Sequence, residues 1–310
     1  MIKYYKTCGN IVKEIENAES GCWVSIVAPN EEETKIAIER FGLDAGFVRS
    51  SLDEEESSRI ENEDEQTLII VDYPVAETVS TPEKTVNYYT LPMGIIITDE
   101  HVFTISAREN TIITELSGGM VRNVQTNHKT RFLLQILLRI AIRFLQYLKQ
   151  IDKIFAVTET RLSTLMKNKE LLQMHNLEKS LVYFSTSLKS NEVTLEKILR
   201  GRVIKMYEED KDLLEDVLIE VKQAIETANI YSRILSTTRD AFSSIINNNL
   251  NVVMKRLTII TILMAIPTIV FSYYGMNVDY LPFNTSIVPV PLIISIVATA
   301  ITAFLLYRKE

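Results

Sequence analysis

Between Arg256 and Arg308 the chain runs for 51 residues with a single charged side chain, Asp279. Charged residues make up 24% of the whole, so this gap constrains the fold more than any other feature. It contains two apolar stretches, Leu257 to Tyr274 (18 residues) and Ile287 to Tyr307 (21 residues). A spanning helix needs about 20 mainly apolar residues at 1.5 Å each, so both are long enough to cross a bilayer. The segment between them, 275–286, holds Gly, Asn, Asp and Pro and reads as a short exposed loop. Lys255 and Arg256 precede the first stretch, Arg308 and Lys309 follow the second, and the loop has neither Lys nor Arg. The positive-inside rule then places both termini in the cytoplasm of a multi-pass protein in the cell (plasma or inner) membrane.

The N-terminus, MIKYYKTCGNIVKEIEN, has no apolar core of the signal-peptide kind, so about 250 residues are expected to stay in the cytoplasm. Cys8 and Cys22 are then expected as reduced thiols, and two cysteines do not make a zinc site. A net charge of −7 argues against nucleic acid as a partner. No Gly-rich phosphate loop, GxGxxG, GxSxG or HExxH occurs, and His101, His128 and His175 are scattered singly. The chain is read as a non-enzyme.

Residues 1–125 mix strand and helix signals. Cys22–Ala28, Thr67–Tyr73, Tyr88–Thr98 and His101–Ser106 read as strands, and Asn30 caps a helical stretch with Glu31 to Glu33 in its first turn. The mixture implies an α/β cytoplasmic domain. From Gln125 onward no Gly appears until Gly201 and no Pro until Pro267, and apolar residues recur every three or four positions. Long helices follow: an antiparallel set over 126–201, then a stalk helix over 202–256 continuing into a first span at 257–274. The loop at 275–286, a second span at 287–307 and a tail at 308–310 complete the organisation. Leu214, Val221, Ala228, Leu235 and Phe242 are spaced by seven, a stripe that predicts self-association around an axis. A membrane-anchored coiled-coil scaffold would carry the same heptads.

Two charge blocks stand out. Asp53 to Glu65 holds eight carboxylates against Arg59, which fits either a solvated acidic face or a site for hard cations. Leu116 to Ile151 has six basic residues and no acid, which reads as the complement of an acidic partner helix.

Where the first span meets the loop the sequence reads Tyr274-Gly275-Met276-Asn277. Here the chain resembles the CorA family of divalent-cation channels, whose signature is Gly-Met-Asn at this place. Asn251-Val252-Val253-Met254-Lys255-Arg256-Leu257-Thr258 and Pro267 are similar to the family's pore helix, and CWVSIVAPNEEE and LDEEESSRIE to its cytoplasmic domain. The resemblance implies a funnel-shaped homopentamer moving Mg²⁺, with Co²⁺ and Ni²⁺ as lesser substrates, and Met276 favours the magnesium branch over zinc-transporting relatives. It also implies that Asp64, Glu65 and Asp216 hold regulatory Mg²⁺ between subunits. Leu281-Pro282-Phe283-Asn284 departs from the family's usual acidic loop, and the basic tail is reduced to Arg308 and Lys309.

Physical chemistry gives the tripeptide a role. Mg²⁺ sheds water reluctantly, and a ring of Asn277 amides with backbone carbonyls can hydrogen-bond the hydrated ion without stripping it. Gly275 lets the backbone leave the helix, and Asp279 adds negative potential. Gly275, Met276, Asn277 and Asp279 are the candidate selectivity residues. Asp240, Asn247, Asn251, Met254, Leu257, Thr261, Ala265 and Thr268 recur at helical spacing as the candidate pore lining, with Met254 and Leu257 as its narrow apolar point. The resulting reading is gradient- and potential-driven Mg²⁺ influx. Its rivals are a carrier of Zn²⁺ or Co²⁺, in either direction, and the scaffold.

Overall fold

The computed structural model describes residues 1–9, 11–63, 65–79, 85–165, 168–201, 204, 206–276 and 289–308. The chain divides into two compact units, Met1–Arg239 and Asp240–Glu310. In the first, strands β1 (Ile2–Cys8), β2 (Ile11–Ile15), β3 (Trp23–Val27), β4 (Arg59–Glu63), β5 (Gln66–Val79), β6 (Thr85–Ile97) and β7 (Val102–Ser106) form one sheet. Its order is β2-β1-β3-β7-β6-β5-β4. Only β3 and β7 pair parallel; every other neighbouring pair is antiparallel.

Helices α1 (Glu31–Phe41) and α2 (Ala45–Leu52) close one side of the sheet. Ala37, Phe47 and Val48 meet Cys22, Val24, Ile26, Phe103 and Ile105 there in a buried cluster. Asn30 caps α1 as expected: its Oδ1 accepts from Glu33 N–H at 2.7 Å, and Glu33 Oε2 accepts from Asn30 N–H at 3.1 Å. Gly94 lets α2 approach β6 closely, because a Cβ there would overlap Ser51 Oγ.

The other side carries α3 (Thr111–Ser117), α4 (Lys129–Leu165) and α5 (Asn168–Gly201). Trp23, fully buried, packs between the tilted rings of Tyr5 (4.8 Å) and Phe132 of α4 (5.2 Å) and donates to Thr104 Oγ1 at 2.9 Å. Phe144 and Phe184 meet edge to face at 5.1 Å. The basic block on α4 finds acidic partners: Arg139 and Arg143 both hold Glu115, and Arg131 reaches Glu209 at 3.0 Å. The acidic block is partly a strand, β4. Within it Glu56 and Glu61 flank Arg59, while Glu54 takes Arg108 through two hydrogen bonds.

Helix α6 (Glu208–Tyr274) belongs to both units. It starts later than the sequence pattern implies, at a cap where Tyr207 N–H donates to Asp210 Oδ2 at 3.2 Å. Its heptad stripe does not await another copy. Leu214, Val221, Ala228 and Leu235 are at most 3% exposed within the single chain. Val221 shares an interior gap with Val71, Leu137, Phe144, Leu188 and Leu195, and Leu235 another with Phe155 and Leu181. Oligomerisation therefore cannot be argued from that stripe, because α4 and α5 supply the apolar partners a coiled coil would have supplied.

The second unit holds the rest of α6 and α7 (Pro289–Tyr307). Among the described helices, α6 is long and apolar enough to cross a membrane, and only 6% of its apolar window is buried. Val290–Leu306 of α7 is a shorter apolar helix.

Candidate functional site

The candidate pore lining lies wholly in the second unit. Asp240, Asn247, Asn251, Met254, Leu257, Thr261, Ala265 and Thr268 are all helical and all exposed. At about 100° per residue they occupy about 120° of the helix circumference. Asp240, Asn247, Met254, Thr261 and Thr268 form one seven-residue series, and Asn251, Thr258 and Ala265 a second beside it. These small or polar side chains share a helix with bare Ile260, Met264 and Ile269.

The threonines on this stripe are internally bonded. Thr258 Oγ1 donates to Met254 O at 2.9 Å, Thr261 to Leu257 O at 2.9 Å, and Thr268 to Met264 O at 3.1 Å. The hydroxyl proton is consumed by the helix's own carbonyl, and the oxygen keeps its lone pairs. A stripe of this kind offers acceptors to the water shell of a cation.

At the helix end, Gly275 N–H donates to Phe271 O at 2.9 Å and Met276 N–H to Tyr273 O at 3.4 Å. Gly275 does not take the left-handed backbone found at Gly9, Gly21, Gly42 and Gly119. Its requirement is steric: a Cβ would stand 3.1 Å from the Phe271 carbonyl oxygen, closer than ordinary contact. Met276 is exposed. Asn277 and Asp279 lie outside the described residues.

Of the candidate regulatory carboxylates, Asp64 lies outside the described residues. Glu65, with a positive φ of 64°, occupies the β4–β5 turn, and Asp216 stands on α6; both are exposed. Among the described residues no group of three or more His, Cys, Asp or Glu side chains could hold a metal ion. The donors present are hard oxygens of the kind Mg²⁺ takes, and the described residues bring too few together to close a site.

Sequence reasoning missed the exposed side of the stalk. Counting back by seven from Asp240 gives Arg233, Glu226 and Ile219, and back from Asn251 through Ser244 gives Thr237, Ile230, Gln223 and Asp216. All of these are exposed, with Ile219 at 61% and Ile230 at 54%. This register was legible in the spacing but was hidden by the stronger apolar one on the opposite side. Also missed was the meeting of Cys22 and His101, whose Sγ and Nδ1 lie 3.5 Å apart across 79 residues of sequence. Burial pushes the Cys22 thiol up, which suits a reduced, unreactive cysteine.

The arrangement is that of a membrane-embedded transporter with a mixed α/β domain ahead of it. A family model for CorA-like Mg²⁺ transporter proteins matches residues 18–309, and the chain belongs to that family. A cobalt/magnesium transport protein CorA from Methanocaldococcus jannaschii is 25% identical over 298 residues, covering 93% of this chain and 90% of that protein. The complete structure of the CorA magnesium transporter from the same organism is similar at a TM-score of 0.81 and 23% identity, covering 99% of this chain and 96% of the other. The ZntB cytoplasmic domain from Vibrio parahaemolyticus is similar at 0.59 and 10% identity, covering 79% of this chain and 98% of that domain. At these identities the two structures speak for the fold.

Proposed function

We propose that the chain forms a homopentameric Mg²⁺ channel in the cell membrane, with both termini cytoplasmic, passing Mg²⁺ inward and Co²⁺ and Ni²⁺ less well. The observation that carries this reading is the exposed stripe of Thr258, Thr261 and Thr268 on the otherwise apolar span, continued before the span by Asn247 and Asn251. On an isolated span those hydroxyls would face hydrocarbon; around a shared axis they line water. The exposed register of the stalk, with bare Ile219 and Ile230, supports a neighbouring copy as the cover for that side. No nucleotide is needed, because a doubly charged ion gains about 4.6 kcal/mol per 100 mV of inward-negative potential.

Asn277 amides, with Gly275 and Met276 carbonyls and the nearby Asp279, would meet the hydrated ion at the outer mouth. Met254 and Leu257 would be the dewetting point on the cytoplasmic side. Asp216 of one subunit with Asp64 and Glu65 of the next would hold Mg²⁺ as a brake. Loss of that ion would leave facing carboxylates to repel and part the subunits.

Mg²⁺ flux into liposomes containing the pure protein tests the reading. Asn277→Ala removes an amide from every subunit, and each lost hydrogen bond to a charged group is worth about 1.5–3 kcal/mol. Flux at millimolar Mg²⁺ should vanish while the oligomer persists in size-exclusion chromatography. Full flux in an Asn277→Ala oligomer defeats the assignment, and Zn²⁺ flux without Mg²⁺ flux selects the zinc-carrying rival. Unaltered inhibition by internal Mg²⁺ in an Asp64→Ala/Glu65→Ala/Asp216→Ala protein removes the brake.

A further inference from the structure

Three charged residues of α6 fall on one seven-residue series: Glu226, Arg233 and Asp240, the last being the first of the candidate pore-lining residues. Seven residues return a side chain to within about 20° on the helix and advance it by about 10.5 Å. All three are exposed. Arg233 differs from the other cations ahead of Asp240. Lys211 and Lys222 pair with Glu208 and Glu192, and Arg239 with Glu178 of α5, whereas Arg233 has no ion-pair partner among the described residues. Its own helix offers none: the residues three and four positions away are Asn229, Ile230, Ser236 and Thr237. Glu178 and Glu226 share an open hollow with Arg233, but Glu178 is taken by Arg239 and Glu226 stands a full heptad away.

The next step rests on the homopentamer proposed above. Rotation about an axis along the helices keeps equivalent residues of the subunits at one height. Five Arg233 guanidinium groups then share a level, with rings of Glu226 and Asp240 carboxylates about 10.5 Å to either side. Side chains lean toward the helix N-terminus, so Arg233 leans away from Asp240 and Glu226 leans away from Arg233. The rings are about one Debye length apart at 0.1 M salt, so the carboxylates weaken the positive level without cancelling it. A cation coming from the cytoplasm crosses that level before it reaches Asp240. One coming from outside meets it only after Met254 and Leu257.

We propose that Arg233 biases conduction inward: its guanidinium ring, ahead of Asp240, depletes divalent cations at the cytoplasmic entrance and so opposes their passage outward. The effect works through local ion concentration. For a doubly charged ion the depletion is the square of that for a singly charged one, because the electrostatic energy doubles. Ions that have entered from outside leave past the ring down their gradient, so inward passage is little affected.

Initial Mg²⁺ uptake into right-side-out and inside-out membrane vesicles carrying the full chain tests this, in an Asp216→Ala background that takes out the proposed brake. Uptake into inside-out vesicles reports outward passage. At low ionic strength Arg233→Gln should raise it several-fold while leaving right-side-out uptake nearly unchanged. Arg233→Lys keeps the charge and should match the unsubstituted residue. At 1 M salt, where charges are screened within about 3 Å, the gain from Arg233→Gln should disappear. Equal factors in the two vesicle orientations, or a gain that persists at 1 M salt, overturn the proposal and leave the channel reading standing. No Mg²⁺ uptake into right-side-out vesicles with Arg233 in place is the failure of the channel reading itself, and the proposal falls with it.

Discussion

Between Glu208 and Arg239, α6 hides Leu214, Val221, Ala228 and Leu235 at 0–3% exposure, whereas beyond Arg256 the same helix leaves Leu257, Met264 and Ile269 at 56–70%. Among the described residues of the second unit, Phe242 and Ser295 alone are buried. Residues of like apolarity thus meet opposite fates on one continuous helix. In the first unit the chain brings its own partners, two long helices and a sheet. In the second it brings two helices, which cannot cover one another's circumference. In the proposed assembly lipid and further copies would supply the rest, and in lipid the hydrophobic effect gives an exposed Leu no reason to be hidden.

The largest expected effect tests whether the first unit is closed by its own core. Phe184 is fully buried, edge-on to Phe144 at 5.1 Å and to Tyr88 at 6.3 Å. Phe184→Ala should cost about 3–5 kcal/mol in denaturant unfolding of the full chain in detergent. Phe304→Ala on α7, where the side chain is 66% exposed, should leave that transition unmoved. Equal costs would mean the two regions are packed alike.

Next in size is Glu115, 14% exposed and shared by Arg139 and Arg143. Glu115→Gln leaves two guanidinium groups on α4 without their anion. Loss of one partner of a buried pair costs 3–5 kcal/mol, and the partial exposure of this one reduces that to about 2. Arg200→Gln, whose partner Glu196 is 36% exposed, should be silent by comparison.

A smaller effect is legible only through pH. His101 packs against Phe41 and Phe103 beside Cys22, with Glu100 at 3.7 Å and Lys129 nearby. Burial holds its pKa below the ordinary histidine value, and Glu100 opposes that only in part. A depressed histidine contributes stability that is present above the unfolded pKa and is lost as pH falls through 6.5 toward the folded value. His101→Gln should flatten the acid side of the stability profile. An unchanged acid limb would place the titration elsewhere.

The sequence was readable where one periodicity ruled. Four strands, the Asn30 cap, the long helices and both apolar stretches stood out because a single pattern governed each. β1 and β2 did not, because IKYYKTC and IVKEI alternate weakly and carry lysines, with β2 at the edge of the sheet. β4 was masked by its own acids, which look like a solvated loop until Leu68 and Ile70 pair with it. The stalk misled for a different reason: Leu214 and Asp216 sit about 200° apart on the helix, and apolar spacing alone cannot say whether α5 or another subunit covers a stripe. Tertiary partners decided it. For the candidate site, the polar stripe from Asp240 to Thr268 was legible as helical spacing, while the pairing of Thr hydroxyls with their own carbonyls was not.

The smallest difference uses one substitution in both regions. Ile26 is 1% exposed in the sheet core among Val24, Phe47 and Ile105, and Ile296 is 59% exposed on α7. Ile→Val removes the same methylene from each. At Ile26 the neighbours cannot close over the gap, so about 1 kcal/mol should be lost, transfer and cavity together. At Ile296 a lipid or detergent tail fills the space, and neither transfer nor cavity applies, because the methylene is in hydrocarbon before and after. Paired thermal melts in detergent should therefore show a shift of a few degrees for Ile26→Val and none for Ile296→Val. A matching shift at Ile296 would mean that α7 is packed against protein in the assembled state, and the size of that shift would measure how much of its apolar surface another subunit covers.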